Sequence, residues 1–204
     1  MNNLDRFKSR KVVVISTAAF WITFFVIVFI HNITGTAGAR LDYSISKYVG
    51  LSFPSATAFL IVNTIISFAI WQYLKPKIKN DIQKILLVFI IATLIGLSLF
   101  PIGLFDNIIP EPILLGRTPI SFLHVITSRS MFVVMAAFSL LTFFLGESEE
   151  KLYKETTRKV NLAFFVYAAL CIFVFLFFPT VFWTYDIIFE SLYIAFFFNV
   201  VLSF

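Results

Sequence analysis

Six stretches of this chain, residues 12–30, 55–74, 82–100, 120–145, 160–178 and 187–204, are apolar over most of their length. Each approaches the roughly 20 residues that a helix needs to cross a hydrocarbon core of about 30 Å. In lipid a backbone has no water to bond, so each run must satisfy its own amides as a helix. The fold class that follows is all-α: a polytopic membrane helical bundle with six transmembrane helices, in one domain covering residues 1–204. Composition agrees, because 60% hydrophobic residues, 28 of them Phe, and only 13% charged residues leave too little polar surface for a soluble domain.

The net charge of +5 does not point to nucleic acid, because the basic residues lie in short segments between the apolar runs. Arg6, Lys8, Arg10 and Lys11 precede the first run; Lys75, Lys77, Lys79 and Lys84 flank the second turn; Lys151, Lys154, Arg158 and Lys159 sit between the fourth and fifth runs. Alternate connections therefore carry most of the positive charge, and the positive-inside rule puts those connections and both termini in the cytoplasm. Arg40, Lys47 and Arg117 fall on the other side. The start of the chain also has features of a cleaved signal, with a basic head, an apolar run and Ala37-Gly38-Ala39. Its apolar run exceeds the usual core of about 7–15 residues and carries Trp21 in its middle, so it is read as a retained span. The single Cys171, inside an apolar run, provides no disulfide framework and reads as a small hydrophobe.

The connections expected outside are of a different kind. Residues 31–53 contain Gly35, Gly38 and Gly50, and residues 101–119 contain Pro101, Gly103, Pro110, Pro112, Gly116 and Pro119. Such stretches resist regular helix and form either ordinary loops or a cap over an outward-facing pocket. The inner connection, residues 146–159, is charged with mixed sign and reads as a solvated turn or a helix extension.

The polar residues inside the spans carry whatever chemistry there is, since ionisable groups in a membrane are expensive and normally face a protein interior or a wet cavity. The fourth span opens with His124, Thr127, Ser128, Arg129 and Ser130. At about 100° per residue Ser121, His124 and Ser128 share a face, with Arg129 about 140° from His124. Arg129 either snorkels to the outer interface or pairs with an acid. The sixth span supplies that acid, with Asp186, Glu190 and Tyr193 on one stripe. A Glu190–Arg129 pair would cancel two charges that neither helix buries well alone. Asp186, beside Trp183 and Tyr185, is either a helix N-cap in an aromatic belt or part of the same site. Asn63, Asn161 and Asn199 are expected to bond between helices.

A metal reading draws on His31, His124 and the carboxylates Asp42, Asp106, Asp186 and Glu190, since imidazole with carboxylate suits zinc. No local ligand motif joins them, and no cofactor is expected from the sequence beyond this zinc alternative. The expected ligand-binding set is His124, Ser128, Arg129, Glu190, Asp106, Asp186 and Tyr193. The expected function is non-enzymatic binding of a lipid headgroup or small solute. A metal-dependent hydrolase of lipids or amides and a proton-coupled transporter working through His124 are the alternatives. Membrane lipids, a small-molecule ligand and a second copy of the chain are the expected partners, and nucleic acid is not.

Phe53-Pro54-Ser55-Ala56-Thr57 departs from the Pro-Ser-Gly-His element of membrane phosphatidic-acid phosphatases at the residues that matter, Ala56 and Thr57. Another pattern runs through Gly96, Phe100-Pro101, Gly103, Asp106, His124, Ser128 and Met131-Phe132. It resembles prokaryotic six-span membrane proteins of unknown function related to the Frag/DRAM/Sfk group. The resemblance implies six helices, both ends inside a prokaryotic plasma membrane, and a role in membrane or lipid organisation or in sensing. It implies no catalytic residues.

Overall fold

The computed structural model describes residues 3–36, 43–101, 104, 118–145 and 151–204, with side chains described from Ser9 in the first helix and from Glu155 in the sixth. Every regular element among the described residues is a helix. The long ones are α1 (Asn3–Ile33), α3 (Phe53–Leu74), α4 (Asp81–Leu99), α5 (Pro119–Leu145), α6 (Lys151–Phe177) and α8 (Asp186–Leu202), with the short α2 (Ile45–Val49) and α7 (Pro179–Thr184) between them. Among the described residues five helices, within α1, α3, α4, α5 and α6, are long and apolar enough to cross a membrane. α8 has 17 residues, or about 25 Å of rise.

Local chemistry sets the helix ends. Asn80 Oδ1 accepts from the Ile82 and Gln83 amides at 2.9 and 3.2 Å and starts α4. Ser52 caps α3, whose first turn holds Pro54, and Ser44 caps α2. Phe100 precedes Pro101 and leaves helical geometry at φ −120°, ψ 58°, which ends α4. Phe178 does the same before Pro179 at φ −134°, ψ 55°, so α6 stops and α7 begins with proline in its first turn. Beyond α1, Gly35 adopts φ +68°, a left-handed conformation that side chains disfavour.

Three boundaries differ from the sequence reading. α1 begins at Asn3 rather than near residue 12, and α6 takes in the charged residues from Lys151, which is the helix-extension alternative. The Gly-containing stretch 31–53 was expected to resist regular helix, yet it holds α2, because Ser44 supplies the missing cap acceptor.

The long helices form a closed antiparallel ring in the order α1, α3, α4, α5, α6, α8, with α8 returning to α1 and also touching α5. Neighbours are stitched by hydrogen bonds that replace the hydrophobic drive missing in lipid. His31 and Ser55 share one at 3.1 Å between α1 and α3. Asn63 Nδ2 donates to Ser98 Oγ between α3 and α4. Gln83 donates to Thr142 between α4 and α5 at 2.9 Å, and Ser139 to Asn161 between α5 and α6 at 2.7 Å. Thr157 and Tyr167 of α6 donate to the Ser203 and Phe189 carbonyls at the two ends of α8. The α1–α8 seam is aromatic instead, with Phe20 edge-on to Phe198 at 5.5 Å. Asn63 and Asn161 thus bond between helices as expected. Asn199 does not: it is exposed and turns back to the Ala195 carbonyl of its own helix.

The interior is filled by Phe20, Phe59, Ile66, Leu87, Met131, Phe138 and Phe197 among others, while Ile22, Phe25, Phe29, Phe173, Leu176 and Phe177 face outward. An apolar exterior of this extent suits lipid and not water. At one end Lys77 lies over the Tyr73 ring at 3.2 Å and Lys75 over Trp71 at 4.9 Å, cations on aromatic faces at the helix terminus. The opposite end carries His31, His124, Glu190 and the two short helices.

Candidate functional site

The Pro179 break shapes the site. By ending α6 it sends the chain through α7, and Phe182 of α7 stacks on Phe189 of α8 with ring centres 5.0 Å apart. Trp183 meets Phe175 of α6 edge-on at 5.9 Å. α7 is therefore pinned against both α6 and α8 where the chain passes from one to the other. Beside it is a cavity of about 590 Å³ bounded by α5, α6, α7, α8 and the start of α2. That volume is in the range of about 300–1,000 Å³ typical of small-molecule sites.

Six of the side chains singled out in the sequence, His124, Ser128, Arg129, Asp186, Glu190 and Tyr193, line this one cavity. The cavity takes roughly half the circumference of α5, with His124 at one edge and Arg129 near the other. Their angular separation of about 140° is therefore compatible with a common space. Asp106 and Asp42 lie outside the described residues. His31 shares its bond with Ser55, is buried, and is not among the lining side chains.

Glu190 is 9% exposed and is held by a backbone group: its Oε2 accepts from the Ile45 amide at the first turn of α2, at 2.6 Å. This departs from the expected pairing with Arg129, since among the described residues no ion pair joins the two. A backbone N–H donor from a short helix has no side-chain signature, so no residue pattern signals it. Arg129 is exposed on the cavity's rim and bonds to no described residue. The other oxygen of Glu190, Oε1, accepts no hydrogen bond from the described residues.

The two charges nevertheless sit at one level. α5 and α8 are both antiparallel to α6 and so run parallel to each other. Tyr193 O–H donates to the Phe132 carbonyl at 2.6 Å and fixes their register. One turn earlier on the two helices stand Glu190 and Arg129. The Phe132 and Tyr193 rings meet edge-on at 4.7 Å beneath them.

Asp186 is the first residue of α8. The cap position is Tyr185, without a side-chain cap bond, so the N-cap reading of Asp186 is not what forms. Its carboxylate faces the cavity near the positive end of the helix dipole. Lys47 of α2 is close enough for its charge to act on it, and Lys47 itself lies 4.0 Å over the Tyr43 ring.

His124 is 2% exposed, and its Nδ1 donates to the Phe100 carbonyl at 2.6 Å. That carbonyl belongs to the residue where Pro101 ends α4, which frees it from the helix ladder. The bond ties the start of α5 to the end of α4 and places the remaining imidazole lone pair on Nε2. The histidine is thus presented as an acceptor.

From His124 to Ala136 the cavity follows α5 for about 18 Å. His124, Ser128 and Arg129 occupy its first half, and Phe132, Val133 and Ala136 its second. Ala168, Ile172 and Phe175 face them from α6. Half-buried Cys171 also lines the wall. The space is polar at one end and oily at the other. Ser44 and Ser46, whose hydroxyls bond each other at 2.9 Å, were not singled out in the sequence, although they line the polar end. Behind Glu190 a second space of about 20 Å³, the size of one water molecule, reaches Asn63, whose buried Oδ1 has no partner among the described residues.

Among the described residues no three His, Cys, Asp or Glu side chains converge closely enough to form a metal site. Comparison with protein-family models, curated proteins and solved structures finds no match to this chain.

Proposed function

We propose that this chain is a six-span membrane protein, with both ends cytoplasmic, whose cavity opens toward the outer face and binds a lipid headgroup or small solute in a membrane-organising or sensing role. α8 is the sixth span in this reading. It is short, but past Glu190 it is wholly apolar but for the hydroxyls and the Asn199 amide, and it closes the ring against α1 and α6. Orientation rests on the lysines and arginines gathered at the end opposite His124.

One observation carries the binding reading: a cavity of about 590 Å³ that presents Arg129 and Glu190 at one level without letting them neutralise each other. A charged Glu190 with no described cation beside it is costly in an apolar bundle, and a polar ligand between it and Arg129 offsets that cost. The test is lipid and small-molecule content of the purified full chain by native mass spectrometry and extraction. His124→Ala and Arg129→Ala should each lower a co-purifying species while the protein still inserts and folds. Unchanged content in both variants would count against the proposal.

A hydrolytic reading draws on His124, whose Nδ1–H bond to a backbone carbonyl is the support that metal-bound histidines commonly have. Zinc measured in the purified protein, and lost on His124→Ala, would favour that chemistry; the binding reading expects the metal content to be the same in both.

A further inference from the structure

The charges on the cavity wall are sorted by position, and the sorting specifies a ligand. Building on the proposed binding function, we infer that the occupant is a phospholipid whose headgroup joins a phosphate to a primary ammonium, as in phosphatidylethanolamine. Arg129 offers a planar fork of N–H donors at the rim, a geometry that matches phosphate oxygens and has no acceptor of its own. Across the cavity, with both carboxyls ionised, stand three groups that only accept: the Glu190 oxygen that no described residue bonds, the Asp186 carboxylate and His124 Nε2. An acceptor-only set calls for a cation with N–H donors. A primary ammonium has three, whereas a quaternary ammonium has none. Arg129 and Glu190 line one cavity without pairing, which suits a zwitterion, since an anionic headgroup would meet two carboxylates and a simple amine would leave the guanidinium without an anion.

The deeper half of the cavity adds the second part of the specification. Phe132, Val133 and Ala136 of α5 and Ala168, Ile172 and Phe175 of α6 line it with apolar atoms. A soluble phosphoethanolamine would leave that half unfilled, and an acyl chain fills it.

The test uses the full chain in detergent, titrated by native mass spectrometry with phosphatidylethanolamine, phosphatidylcholine and phosphatidylglycerol of matched short chains, and with free phosphoethanolamine. Phosphatidylethanolamine should bind at least about tenfold more tightly than each of the others, the size of one charge-assisted hydrogen bond. Glu190→Gln keeps an oxygen for the Ile45 amide, and should erase most of the preference over phosphatidylglycerol. Arg129→Gln should weaken all three phospholipids alike. Equal binding of phosphatidylglycerol or phosphatidylcholine in the wild type overturns the headgroup assignment and leaves a lipid-binding cavity standing. Equal binding of free phosphoethanolamine overturns the acyl-chain assignment. Binding of none of the four overturns this inference, and the proposed function falls with it if the purified full chain also carries no co-purifying lipid or small solute.

Discussion

Replacing Glu190 separates two effects that the structure superimposes on one side chain. The carboxylate is 9% exposed and accepts from the Ile45 amide at 2.6 Å, while no described cation forms an ion pair with it. Removing the charge relieves its desolvation, and removing the acceptor orphans an amide at the start of α2. Glu190→Gln does the first alone; Glu190→Leu does both. The difference between the variants therefore isolates the Ile45 bond, which costs about 1–3 kcal/mol when a buried donor loses its partner. For a chain of 204 residues that corresponds to a leucine variant melting about 2–12 °C below the glutamine variant. Thermal unfolding in detergent, followed by circular dichroism, reads the difference. A leucine variant as stable as the glutamine variant, or more so, would refute the argument that Glu190 is kept for the hydrogen bond that holds α2 in place.

Three further outcomes follow from the packing. A Cβ added to Gly96 would lie 3.1 Å from Thr127 Cγ2, so Gly96→Ala should be more favourable by about 0.5–1.5 kcal/mol in a Thr127→Ser background than in the wild type. Equal effects in the two backgrounds, measured by chemical unfolding, would deny the close approach of α4 and α5. Tyr193→Phe keeps the ring contact with Phe132 and loses only the 2.6 Å hydroxyl bond; it should cost about 0.5–1.5 kcal/mol, and no loss would mean that this bond does not set the α5–α8 register. With Cys171 replaced by Ala, single cysteines at the exposed positions Lys47 and Lys79 should react with an impermeant thiol reagent from opposite sides of the membrane, Lys79 from the cytoplasm. Reaction from the same side would contradict the topology.

Much of the bundle was legible in the sequence because lipid leaves so few choices: length and apolarity mark a helix, and Pro101, Pro119 and Pro179 mark its ends. The convergence of His124, Arg129 and Glu190 was legible for a related reason. A charged group inside an apolar run needs a polar neighbourhood, and only two spans have charges at comparable depth. The contacts themselves were not legible. Glu190 is held by the backbone of Ile45 and His124 by the backbone of Phe100, and main-chain groups are the same at every position. The short helices were also hidden. α2 has 5 residues and α7 has 6, too few for a periodic pattern, and their placement depends on ring contacts such as Phe182 with Phe189. The exposed Asn199 shows the converse: an amide in a span need not reach a neighbouring helix when its own Ala195 carbonyl is within range.

The central claim, that the space between α5, α6 and α8 holds an amphiphile, is tested most directly by filling its oily half from within. Ala136 lines that half, and Ala136→Trp would occupy it without touching Arg129, Glu190 or His124. Native mass spectrometry of this variant should show the wild-type adduct gone, in a protein that still runs as a folded species and melts as a single transition. An adduct retained at wild-type occupancy would place the bound molecule elsewhere and contradict the account.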